Sequence, residues 1–134
     1  MSAIIAPKGS PLNTAIIGVE NLDQSIAFYR DLIGLSVSDP FDWRGKDFED
    51  IWHLPSGSHA TGSFCELKGC NAGRVLLLDF KAENKKLIRP KDTSRAYGLF
   101  NLNFYTDDIE SDTKKFESKG YRIWSKPTYY EMSE

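Results

Sequence analysis

Apolar and polar positions change their period within the first 35 residues of the chain. Residues 14–19 (TAIIGV) are small or β-branched, which is typical of a short strand. After Asp23 the apolar residues fall at helical intervals, at Ile26, Phe28, Tyr29, Leu32 and Ile33. The pattern predicts a strand, a tight corner and an amphipathic helix that ends at Gly34, since glycine suits the left-handed position after a helix.

The same arrangement returns near the end of the chain. Residues 101–123 (NLNFYTDDIESDTKKFESKGYRI) again predict a strand, an acidic corner and a helix that ends in glycine. Thr14 and Asn101 are separated by the same number of residues as Tyr29 and Phe116, so the two copies stay in register. Both corners offer an Asn or Asp as a helix N-cap.

Three strand-like stretches lie between the copies, at residues 35–41, 61–69 and 74–80, and the last of them (RVLLLDF) is typical of a buried strand. Residues 45–57 predict one or two helical turns, stopped by Pro55 and Gly57. We expect each repeated helix to cover one face of a small sheet and to leave the other face for another purpose.

The predicted fold class is α+β, built from paired βαβββ modules of which the second is incomplete. The expected organisation is a tail over residues 1–11, a first module over 12–82, a charged linker over 83–98, and a βαβ second module over 99–134. The final strands of that second module have no counterpart in the chain. An open sheet edge is a liability that proteins cover. We therefore expect a homodimer, or pairing with further modules of a longer chain.

Composition and charge limit the classes of partner and the location that we expect. The 17 basic and 19 acidic residues give a formal charge of −2, which offers no electrostatic reason to expect nucleic acid or an anionic membrane. No apolar run is long enough to span a bilayer, and the first residues do not resemble a signal peptide. Since the chain carries no recognisable export signal, we expect Cys65 and Cys70 to be reduced thiols and the location to be cytoplasmic. The two cysteines also lack the second ligand pair that a zinc site needs.

Two segments carry a family resemblance, LDQSIAFYRDLIGL in the first copy and LFNLNFYTDDIE in the second. They are similar to the vicinal-oxygen-chelate superfamily, which includes glyoxalase I, bleomycin-resistance proteins, fosfomycin-resistance enzymes and extradiol dioxygenases. The resemblance implies that two modules form a cupped barrel. In metal-using members the cup holds a divalent ion, which chelates vicinal oxygens of a substrate.

The metal pattern of the superfamily does not carry over to this sequence. The resemblance places the first ligand position on Thr14, the second on Leu76 and the third on Asn101, and the fourth has no counterpart. Threonine and asparagine are poor ligands for a divalent ion, and leucine is none. Asp79 does not rescue the site, because it lies on the opposite face of its strand from Leu76. We therefore expect no metal; Fe, Mn, Ni or Zn is the alternative.

Other side chains could supply chemistry. Glu66 lies in an alternating strand, and a lone carboxylate facing an apolar cup could act as a proton-transfer base. His53 and His59 could act as a base or as improvised ligands, or could be ordinary surface residues. Aromatic residues could line a pocket or form core, and the candidates for the pocket are Trp43, Phe64, Phe104 and Trp124.

Two functions follow from these patterns. The first is a metal-free protein of the bleomycin-resistance kind, whose cup binds a small hydrophobic or aromatic molecule, with Thr14 and Asn101 as polar contacts. The second is an enzyme of the same superfamily, a lyase, isomerase or extradiol-type dioxygenase. Such an enzyme would be metal-dependent or would work by acid–base chemistry, and this chain could be the N-terminal part of it.

Overall fold

The computed structural model describes residues 12–70, 72–81 and 101–131. The chain divides into two compact units, residues 1–86 and 87–134. The predicted tail, residues 1–11, and the predicted linker, residues 83–98, lie outside the described residues. Among the described residues, no helix has both the length and the apolar character needed to cross a bilayer.

The first unit contains a mixed five-stranded sheet with two helices. Strand β1 (Thr14–Gly18) is followed by helix α1 (Leu22–Ala27), which continues as a π-helical segment (Phe28–Ile33). The remaining elements are β2 (Ser36–Val37), β3 (Phe41–Arg44), α2 (Lys46–Trp52), β4 (His59–Glu66) and β5 (Arg74–Lys81). The order across the sheet is β1-β5-β4-β2, and β3 pairs with the other half of β4.

The residues at the two ends of the first helix act as the sequence predicts. The Asn21 side chain accepts a hydrogen bond from the backbone N–H of Gln24 at 2.9 Å, which caps the first turn. Gly34 takes a left-handed conformation with φ of 84° directly after the π-helical segment. Strand β5 is buried over most of its length, as its apolar run predicts.

The strand predicted over residues 35–41 is wrong as a single element, because the chain forms two short strands there. Both pair antiparallel with β4. Ser38 bridges the gap, since its N–H donates to the carbonyl of Phe64 at 2.9 Å and its hydroxyl accepts from the N–H of Phe64 at 3.0 Å. Pro40 has no N–H to offer a neighbouring strand, so the pairing is interrupted before β3 begins.

The helices lie on opposite faces of the sheet. Helix α1 contacts β4 and β5, and Tyr29 in its π-helical continuation lies close enough to Cys65 for an electrostatic interaction. Residues of the Cys65 face are therefore buried beneath α1. Helix α2 packs on the other face through Phe48, which is completely buried against Ala60, Leu76 and Leu78. The sequence does not predict that α2 partly covers this second face.

The second unit contains one helix among its described residues, α3 (Ile109–Ser118). Asp108 caps it by accepting from the N–H of Ser111 at 2.9 Å, and Gly120 follows it with φ of 80°. The strands predicted on either side of α3 are not formed in the described residues of this unit. A helix satisfies its own backbone hydrogen bonds, whereas a strand requires a neighbour, and the described part of this unit offers none.

Candidate functional site

The second face of the sheet brings together most of the predicted site residues of the first unit. In the observed register Thr14 lies beside Arg74, Ile16 beside Leu76, and Leu76 beside Phe64. Side chains of paired residues point to the same side of a sheet, and every second residue shares a face. This surface is called the site face here, and its open part is formed by Thr14, Ile16, Phe64, Glu66 and Arg74 around the buried Leu76.

Helix α2 covers the opposite end of the site face with an aromatic cluster. The ring of Phe48 lies 5.3 Å from that of Trp43 and 5.9 Å from that of Phe80. Trp52 packs edge-on against Phe80 with 5.3 Å between ring centroids. This end of the face is therefore hydrophobic core, and Trp43 packs against it while staying partly buried.

The open end of the site face keeps an apolar floor. Phe64 is half-buried, and its ring stacks on that of Phe41 with 5.7 Å between centroids. Leu76 is 5 % exposed, whereas Ile16 on the adjacent strand is 45 % exposed. Ile16 and Phe64 lie on either side of the buried Leu76, and their exposed parts leave apolar surface in contact with water that a ligand could cover.

Arg74 closes one edge of this floor, and sequence reasoning missed it as a site residue. Its guanidinium carbon lies 5.2 Å from the centre of the Phe64 ring. One terminal nitrogen donates to the Asn13 side chain at 2.7 Å, and the other lies 3.9 Å from a carboxylate oxygen of Glu66. The available signal is positional, since Arg74 directly precedes the apolar run Val75–Leu78 of β5.

Glu66 faces the site, as the proton-transfer hypothesis requires, but it does not stand alone in an apolar cup. Arg74 lies opposite Glu66. The Glu66 side chain is 43 % exposed and the Arg74 side chain is 34 % exposed. The pair is therefore partly hydrated rather than desolvated. The catalytic role of Glu66 stays a prediction, now with a cationic neighbour that the sequence pattern did not reveal.

The superfamily metal positions in this unit present no suitable donor set. Thr14 uses its hydroxyl to donate to the Asn13 side chain at 2.7 Å, and Leu76 has no donor atom and packs in the core cluster. Asn101 is exposed in the second unit. Within the described ranges no three His, Cys, Asp or Glu side chains are grouped closely enough to hold a metal ion.

The remaining predicted residues lie apart from the open floor. His53 takes a left-handed conformation at the end of α2, and His59 begins β4 next to Arg44 of β3. Phe104 and Trp124 belong to the second unit, where they are 39 % and 66 % exposed. The side chain of Trp124 lies under the Arg122 guanidinium at 4.7 Å.

Two titrating groups with raised pKa values, Cys65 and Tyr29, lie at the interface between α1 and the sheet. Burial raises the pKa of the Cys65 thiol, and burial together with the nearby Cys65 raises the pKa of the Tyr29 hydroxyl. Both shifts favour the neutral forms of these groups. The raised pKa of Cys65 is typical of a thiol buried in a packed helix–sheet interface.

Comparison with known proteins agrees with this architecture. The sequence model of the Glyoxalase/Bleomycin resistance protein/Dioxygenase superfamily matches residues 12–134. This chain belongs to that superfamily. The fold class predicted from the sequence is thereby confirmed, and the structure shows a single module with a five-stranded sheet.

Two solved structures have folds similar to that of this chain. A crystal structure of a glyoxalase family protein from Bacillus cereus superposes with a TM-score of 0.81 at 20 % identity, covering 96 % of this chain and 85 % of its own. A crystal structure of the protein SMU.1112c gives a TM-score of 0.54 at 19 % identity, covering 86 % and 78 % respectively. At these identities the likeness establishes the fold alone. No curated protein matches the sequence.

Proposed function

We propose that this superfamily member binds a small hydrophobic or aromatic molecule on the open end of the site face, without the metal ion used by its relatives. The observation that carries the proposal is the apolar surface at this end, where Ile16 is 45 % exposed and Phe64 is half-buried on either side of a buried Leu76. Covering such a surface releases ordered water and favours an apolar ligand.

The donor chemistry supports the metal-free version of this function. The position occupied by Leu76 contributes to the core instead of to a coordination sphere, and the Thr14 hydroxyl is held by Asn13. A ligand would therefore be retained by apolar burial and by hydrogen bonds. Pairing as a homodimer, or with further modules of a longer chain, stays a prediction that the mass in solution would check.

The test uses N-phenyl-1-naphthylamine, a neutral aromatic dye that fluoresces when it leaves water. Ile16→Ser removes exposed apolar surface from the floor without opening a buried cavity, since Ile16 is 45 % exposed. Losing contact with part of that side chain should weaken dye binding by about 1 kcal/mol, or roughly fivefold. The matched control is Ile51→Ser on the outer side of α2, where the isoleucine is 60 % exposed.

Wild-type protein and Ile51→Ser should bind the dye equally, and Ile16→Ser should bind it more weakly. Equal binding by all three proteins, or no binding by any of them, would refute the proposed site. Metal analysis of protein purified without chelators is the companion measurement, and a stoichiometric Fe, Mn, Ni or Zn content would favour the enzyme alternative.

A further inference from the structure

We infer that the ligand of this site carries an anionic group beside its apolar body, and that Arg74 recognises that group. The inference rests on the proposed function and specifies the chemical class of the ligand. Arg74 stands at the edge of the apolar floor, with its guanidinium over Phe64 and its side chain 34 % exposed. An aromatic or aliphatic carboxylate, sulfonate or phosphate would place its body on the floor and its charge at this edge.

The hydrogen bonding of Arg74 is incomplete within the described part of the chain. The Asn13 side chain accepts one hydrogen bond at 2.7 Å. The nearest oxygen of Glu66, at 3.9 Å, is beyond hydrogen-bond distance. The Nε atom is buried and has no acceptor among the described residues. A guanidinium has more donors than these contacts use, and oxyanions are the acceptors that its planar fork fits.

The position of Arg74 is fixed before any ligand arrives. Its backbone N–H donates to the carbonyl of Asn13 at 3.0 Å, and the side chain of the same residue, just before β1, accepts from the guanidinium. Stacking on Phe64 restrains the plane of the group. A restrained guanidinium loses little conformational entropy on binding, which favours recognition of an anion over simple surface solvation.

Glu66 gives the inference a distinctive consequence. Its carboxylate lies on the same side of the sheet as the proposed anion and competes with it for Arg74. Removing that negative charge should therefore strengthen the binding of anionic ligands. A catalytic Glu66 predicts no such gain, so the substitution Glu66→Gln separates the two roles.

The experiment compares two dyes with the same aromatic skeleton, 8-anilino-1-naphthalenesulfonate and neutral N-phenyl-1-naphthylamine, by fluorescence titration. Arg74→Gln should weaken sulfonate binding by about tenfold and change neutral dye binding less than about twofold. Glu66→Gln should strengthen sulfonate binding by roughly twofold or more. The matched control is Arg122→Gln, which removes another arginine stacked on an aromatic ring, that of Trp124.

Each outcome decides the matter. If Arg74→Gln leaves the preference between the dyes unchanged, or Arg122→Gln lowers it equally, the inference is overturned while Ile16-dependent binding of the neutral dye still supports the proposed function. If the neutral dye does not depend on Ile16, the proposed function fails first. If Arg74→Gln does not fold, Glu66→Gln decides, and unchanged or weaker sulfonate binding refutes the role of Arg74.

Discussion

Replacement of Gly62 by alanine tests the register of β4 against β5, which assembles the whole site face. A Cβ atom at this position would lie 2.7 Å from Cδ2 of Leu78, 3.1 Å from the carbonyl oxygen of Leu77 and 3.1 Å from Cζ of Phe41. Leu78 cannot easily retreat, because it is fully buried against Phe48 and its neighbours.

The expected size of the effect follows from two opposing terms. Overpacking a tight core costs about 1–3 kcal/mol, whereas replacing glycine by alanine restricts the unfolded chain and returns about 0.4–1 kcal/mol. Gly62→Ala should therefore lower the free energy of unfolding by roughly 1–2 kcal/mol. Gly18→Ala is the matched control, since its nearest neighbour is Cε2 of Phe80 at 3.7 Å, an ordinary contact.

Urea unfolding followed by tryptophan fluorescence measures both variants. A double-mutant cycle with Leu78→Val sharpens the assignment, because valine lacks the Cδ2 methyl that the new Cβ would strike. The double variant should lose less stability than the sum of the two single losses, by about 0.5 kcal/mol or more. If Gly62→Ala is as stable as Gly18→Ala, the reasoning about the register is refuted.

Two further predictions concern the two faces of the sheet. Phe48→Ala should cost about 3–5 kcal/mol in urea unfolding, because the ring is fully buried, whereas Ile51→Ala on the same helix should cost less than about 0.5 kcal/mol. Equal losses would show that α2 does not seal that end of the site face. Burial raises the pKa of Cys65 from its ordinary 9.0, so the native state holds this proton more tightly than the unfolded state. The stabilisation that comes from this proton is complete below pH 9.0 and is lost as the pH rises through the pKa of Cys65 in the native state. Cys65→Ala should therefore lose less stability than wild type as pH rises above about 9, and parallel curves would contradict the shift.

Much of the first unit could be predicted because its signals are local. Asn21 and Gly34 bound the helix through hydrogen bonds and backbone conformations that depend on a few adjacent residues. The apolar run of β5 likewise predicts a buried strand, because a strand buried on both faces does not alternate apolar and polar residues. Such signals require no knowledge of distant contacts.

The parts that escaped prediction depend on pairing across the chain. The Ser38 hydroxyl accepts a hydrogen bond from the N–H of Phe64, where a strand would use a carbonyl. It can do so only because Phe64, 26 residues away, lies opposite it. Arg74 becomes a site residue only when β5 pairs with both β1 and β4, which brings it beside Asn13 and Glu66. Neither relationship has a periodic signature in the sequence.

Leu76, at the position that the superfamily resemblance assigns to a metal ligand, lies in the core cluster of the site face. A carboxylate at position 76 without a cation would be buried at heavy cost, because Leu76 is 5 % exposed in the core cluster. Leucine removes that cost and joins the cluster around Phe48 to the exposed surface at Ile16. A ligand at the proposed site would therefore lie next to the cluster that anchors α2, with the buried Leu76 between them. Because a ligand that binds only the folded state stabilises it by mass action, occupancy of the site should protect α2 as well as the floor.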